Sequence, residues 1–138
     1  MVATPHAALA RLRGMAAAGE LAVICAEHDL DLLVVHGSVL HDDGQAADLD
    51  VAVWPTRGGR YDHQVFGAAL SQALKLGRVD LMDLSRAGVV ARGLALGRCE
   101  PLYERLDGVF ARRQMAALPP LADTTWIRDL GLRTMAGR

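Results

Sequence analysis

The run Leu32-Leu33-Val34-Val35-His36, halted by Gly37-Ser38, constrains the fold more than any other stretch. It is too short for a stable helix, and its unbroken apolar character leaves no face for water. It therefore predicts a buried strand that ends in a tight turn. After the polar loop 41–47, Leu49 to Trp54 predicts a second strand, ended by Pro55 and Gly58-Gly59. Val79 to Leu84 predicts a third strand, and Pro101-Leu102-Tyr103 a short last one.

Helical spacing of apolar residues fills the intervals. Residues 7–28 read as mostly helical, with Gly14 and Gly19 as possible breaks. Residues 62–76 carry Val65, Phe66, Ala69, Leu70, Ala73 and Leu76, with Gly77 as the stop. Ser85 to Leu96 predicts a helix capped by Ser85 and closed by Gly97. Two more helices are expected over 106–117 and 123–136, separated by Pro119-Pro120. Strands alternating with helices predict an α/β or α+β domain with one mixed sheet.

A length of 138 residues fits a single domain over 1–138, with a C-terminal helical tail from about 106. Aromatics make up 4%, so the core must come from Leu, Val, Ala and Met. The net charge of −1 argues against a general nucleic-acid binder, which would carry a basic surplus. Cys25 and Cys99 belong to no C-x-x-C pair and read as reduced thiols, and no Cys/His spacing suits zinc. With no signal peptide and no membrane-length apolar stretch, a soluble cytoplasmic protein is expected. His28, His36 and His63 are isolated and read as structural. Arg11-Arg13 and Arg112-Arg113 read as solvated helix charges. Trp126, Ile127 and Leu130 lie on an amphipathic segment, suited to core packing or, alternatively, to a partner.

The chemistry concentrates between Leu32 and Trp54. Glycine at 37 lets the backbone turn sharply and approach a ligand closely, and Ser38 adds a hydroxyl and an N–H, so the turn can cradle phosphate. Asp48 and Asp50 are two apart at the start of a strand, so both carboxylates project from one face, while Leu49, Val51 and Val53 point into the core. Like charges placed so closely are best tolerated around a cation such as Mg²⁺, which takes carboxylates together with substrate phosphates. Asp80 and Asp83 on the third strand point to opposite faces, so only one can join the pair; spacing does not choose between them. A Gly-Ser turn beside three carboxylates suits two-metal phosphoryl transfer.

This order of motifs resembles the minimal nucleotidyltransferases (MNT) of the DNA polymerase β superfamily. The residues that carry the likeness are Gly37-Ser38, then Asp48-Leu49-Asp50, then Asp80 in a Val-Asp-Leu strand. Cys99 to Tyr103, with Phe110 in the helix that follows, looks like the end of the branch that acts as antitoxin, so the likeness spans roughly 18–136. The resemblance implies transfer of AMP from ATP to a hydroxyl of a HEPN-type toxin. In that scheme Gly37 and Ser38 hold the triphosphate, Asp48 and Asp50 ligate two Mg²⁺ ions, and Asp80 completes the metal site beside the attacking hydroxyl. The resemblance selects Asp80 over Asp83. The sequence departs from the family in three places: His36 stands where Phe is common, Ala47 where Ser is common, and Val39-Leu40-His41 where an arginine usually follows the Gly-Ser pair. His41, Arg57 or Arg60 could replace that positive charge. Two alternatives are a non-catalytic antitoxin that acts by binding and an enzyme that modifies a small molecule such as an antibiotic; the second normally needs pocket elements for which this chain is short.

Overall fold

The computed structural model describes residues 3–41 and 46–118. The expected segment 123–136, with Pro119-Pro120 and the residues around Trp126, lies outside them. Helix α1 runs Pro5–Ala18 and α2 Glu20–Glu27. Thr4 caps α1 by accepting from the Ala7 N–H, and Pro5 occupies the first turn, where its missing N–H costs nothing. Gly19, at φ 84°, separates the two helices as anticipated, whereas Gly14 is carried inside α1. Strand β1 is Leu30–His36 and β2 is Asp50–Pro55; α3 is His63–Leu74, β3 Asp80–Asp83, α4 Val89–Gly97, β4 Cys99–Glu104 and α5 Val109–Ala117.

The strands form one mixed sheet in the order β3-β2-β1-β4. β1 is antiparallel to both β2 and β4, and β2 is parallel to β3. A parallel pair requires a crossover, which α3 supplies. Both sheet faces are buried, which explains the uninterrupted apolar run in β1. Leu33, Val35, Leu49, Val51 and Val53 face α1, α2 and α3 together with Phe66 and Leu70. Leu32, Val34 and Ala52 face the other way, against Leu84, Ala95, Leu96 and Val109.

Three helix boundaries differ from the sequence expectation for local reasons. α3 ends at Leu74, because Lys75 adopts the left-handed conformation at φ 57° and closes the helix before Gly77 is reached. Ser85 does not cap α4: its N–H and hydroxyl both donate to Asp83 (2.9 and 2.6 Å), a local turn that delays the helix to Val89. α5 begins at Val109, where the Glu104 carboxylate accepts from the N–H groups of Gly108 and Phe110.

Not all the arginines read as solvated are free. Arg13 makes a two-pronged bond to Glu100 on β4, at 2.8 and 2.6 Å, and Arg113 lies 3.8 Å over the Trp54 ring. The outer edges of the sheet are guarded. His63 bonds the Leu81 carbonyl of β3 at 3.1 Å, and β4 carries Pro101. Cys25 and Cys99 are free thiols, and burial pushes both above the usual thiol range. No helix among the described residues is long and apolar enough to cross a membrane.

Phe66 is the largest fully buried side chain among the described residues and meets the His28 ring edge-on at 5.2 Å. Phe66→Ala is expected to lower the unfolding free energy by about 3–5 kcal/mol, read by urea denaturation. A loss below about 1 kcal/mol would mean that this site is not core.

Candidate active site

The sequence-selected residues converge at one end of the sheet. β1 delivers the chain to Gly37, at φ 84°, and Ser38 opens a single 3-10 turn, Ser38–Leu40, with its side chain exposed. The first N–H groups of such a turn have no carbonyl partner within it and face outward. Val39 is buried and Leu40 packs against the core, so the turn is anchored by apolar contacts.

Glycine is required at 37 on two grounds. Its positive φ is one that side chains rarely adopt, and a Cβ there would collide with Asp50 Oδ2 and lie 3.1 Å from its Cγ. The missing side chain is the space that the Asp50 carboxylate occupies. The turn and the acid are therefore built as one object.

Register decides which acid joins Asp50. The parallel pairing sets Asp50 opposite Asp80 and Val53 opposite Asp83. Paired residues share a face, so Asp80 projects beside Asp50, while Asp83 lies on the Val53 side and is taken up by Ser85. The choice that spacing left open falls on Asp80, in agreement with the resemblance. The Asp50 and Asp80 carboxyls are close enough to share a hydrogen bond. Burial, this bond and the charges of Asp80 and Asp48 push the Asp50 pKa up to about 6. Asp48 and Asp80 are exposed and Asp50 is half-buried.

His36 stands on the same face, its backbone paired with that of Asp50. Its Nε2 is buried with no hydrogen-bond partner among the described residues. Burial lowers its pKa, against an opposing pull from Asp80. The other two histidines are structural, as expected: His28 ends α2, and His63 links the Tyr61 hydroxyl (2.9 Å) to the edge of β3.

One expectation needs revision. Arg57 and Arg60 cannot supply charge to the Gly37-Ser38 turn. Thr56 and Arg60 donate backbone N–H groups to Asp29, beside Leu30 at the start of β1. They thus lie a full strand length away, roughly 20 Å at the usual rise. The acids are placed as a close pair, Asp50 and Asp80, with Asp48 alongside; among the described residues no three His, Cys, Asp or Glu side chains already converge on one point. Sequence reasoning also passed over a cleft of about 570 Å³ at the far end of β2 and β3, lined by Tyr61, His63, Met82, Asp83 and Arg86 among others. Its residues come from the ends of β2 and β3, the loops that follow them and the start of α3, and no motif announced it.

Because the folded state holds the Asp50 proton more tightly than the unfolded chain, that proton stabilises at low pH and its contribution is lost as pH rises through about 6. In chelator, the melting temperature should therefore fall between about pH 4 and 6. Asp80→Asn should flatten that fall, and an unchanged profile would refute the coupling. Gly37→Ala is expected to destabilise by about 1–3 kcal/mol, measured by denaturant unfolding.

Neither known family profiles nor curated protein sequences match the chain. Solved structures do. It superposes on a chain of the MntA–HepT toxin–antitoxin complex with a Tyr-to-Ala substitution, with a TM-score of 0.59 at 18% identity over 86% of this chain and 92% of that one. A toxin–antitoxin structure with AMP-PNP gives 0.58 at 18% identity, over 84% and 90%. A complex of the tri-AMPylated Shewanella oneidensis HEPN toxin with an MNT antitoxin gives 0.53 at 20% identity, over 87% and 98%. The likeness is one of fold: this α+β chain, with its four-stranded mixed sheet, is built on the nucleotidyltransferase fold of the MNT–HEPN toxin–antitoxin structures.

Proposed function

We propose that the protein transfers a nucleoside monophosphate, AMP from ATP, to a hydroxyl of a HEPN-type partner and thereby acts as its antitoxin. One observation carries this reading: two carboxyl groups from parallel neighbouring strands meet beside a glycine whose side-chain space one of them fills. The fold neighbours, solved with AMP-PNP and with an AMPylated toxin, support the same chemistry.

The donor set fits Mg²⁺. It consists of carboxylate oxygens, which are hard ligands, and the nearby charges of Asp80 and Asp48, which help raise the Asp50 pKa, are a repulsion that a divalent cation would relieve. Asp48, Asp50 and Asp80 would hold two such ions, which supply neutralisation of phosphate charge and acidification of the acceptor hydroxyl. The chain itself does the remaining work. Gly37 lets the triphosphate come against the backbone, and the Ser38 N–H and hydroxyl donate to its oxygens. The acceptor oxygen attacks the α-phosphorus, the bond to pyrophosphate breaks, and the hydroxyl proton passes towards Asp80. Asp80 lies on the outermost strand and is exposed, so it is open to an acceptor carried on another protein. In this reading the protein is cytoplasmic, where ATP and a toxin partner meet.

A second reading, neutralisation by binding alone, draws on the buried Val39 and the partly buried Leu40 where the resemblance calls for an arginine nearby. Incubation with labelled ATP, Mg²⁺ and the HEPN-type product of an adjacent gene separates the two. Transfer predicts label on the partner, and Asp50→Asn and Asp80→Asn each lower the rate more than about 100-fold, as expected when stabilisation of transition-state charge is removed. A tight complex without label would establish the binder instead.

A further inference from the structure

A turn that grips a triphosphate needs positive charge at hand, and the residues that follow Ser38 on the chain supply apolar anchors instead. Four of the described arginines are committed elsewhere. Arg11 donates to the Ala73 carbonyl, Arg13 to Glu100 and Arg92 to the carbonyls of Leu84, Ser85 and Ala87; Arg105 pairs with Asp31. Arg78 precedes β3, two strand spacings from β1, which is about 10 Å.

Arg98 is different. It is exposed, and its side chain makes no ion pair or hydrogen bond among the described residues. It ends α4, the helix packed on the sheet face that carries Asp50 and Asp80, and it is the last residue before β4. β4 enters the sheet with Cys99 paired to His36. Arg98 therefore stands one residue before the Cys99–His36 pair, at the same end of the sheet as the Gly37-Ser38 turn.

We infer that Arg98 is the phosphate-binding cation of this site and takes the β- and γ-phosphate oxygens of the bound triphosphate. The inference rests on the proposed nucleotide-binding role. The end of the sheet then carries a gradient: acids on β3 and β2, the Gly-Ser turn after β1, a guanidinium at β4. A Mg-triphosphate matches it, with its cations towards the acids and its terminal oxygens towards Arg98. Guanidinium is permanently charged and forks onto two phosphate oxygens, so one residue replaces the charge missing from the turn.

Calorimetric titration of the full-length protein with Mg-ATP, and separately with AMP, tests this. Arg98→Ala should weaken Mg-ATP binding roughly tenfold to a hundredfold, the scale of a lost hydrogen bond to a charged group, while AMP binding and melting temperature stay as in wild type. Arg98→Lys should recover part of the loss, and Arg57→Ala, at the other end of the sheet, should bind as wild type. If wild type binds Mg-ATP and Arg98→Ala binds it equally well, the assignment of Arg98 falls and the site stands. Parallel loss of ATP and AMP affinity with a lower melting temperature would mark a structural role and also overturn it. Absence of Mg-ATP binding by wild type would overturn both the assignment and the nucleotide site.

Discussion

Two carboxyl groups are held against each other by backbone hydrogen bonds in which neither takes part. The parallel ladder between β2 and β3 fixes Asp50 beside Asp80, and burial of Val51 and Val53 on the opposite face prevents the register from slipping. A shift by one residue would turn the acids towards the larger core and move Val51 and Val53 into the smaller cluster on the other face. The hydrophobic effect thus supplies the force that keeps like charges together, and burial with the neighbouring acids pushes the Asp50 pKa up to about 6. Everything that defines the site, from the side-chain-free bend at Gly37 to the open flank of Asp80, is referred to that register.

Much of this was legible in the sequence, for reasons that can be named. The strands were found because β1 and β2 are buried on both faces, which leaves continuous apolar runs. Asp50 was placed on the face away from Val51 and Val53 because strand alternation is strict, whereas Asp48 precedes β2. Asp80 was separated from Asp83 only by analogy, since the pairing partner of a strand is not written in that strand; it depends on how the α3 crossover docks. The arginine suggestions failed for the same reason. Arg57 and Arg60 are close to Asp50 in sequence, but β2 carries the chain away from the site before they occur. Arg98 is remote in sequence and is brought to this end of the sheet only because β4 pairs with β1, Cys99 against His36.

The misplaced helix ends follow one pattern. Glycine and serine were given the roles they most often play, while the structure gave those roles to neighbours with better local bonds. Asp83 captured Ser85, Lys75 took the left-handed cap, and Glu104 gathered the N–H groups that open α5. These are contests between side chains a few residues apart. Each is settled by geometry that composition alone does not reveal.

The guarded rims of the sheet have a bearing on how the protein meets others. With the Leu81 carbonyl occupied by an imidazole and a proline set into the opposite border strand, neither described rim offers a continuous row of backbone groups for an incoming chain to zip onto. Association must therefore proceed through side chains on helices and loops, where recognition is chemical and selective. Crowding many copies together does not invite them to merge into an extended common sheet.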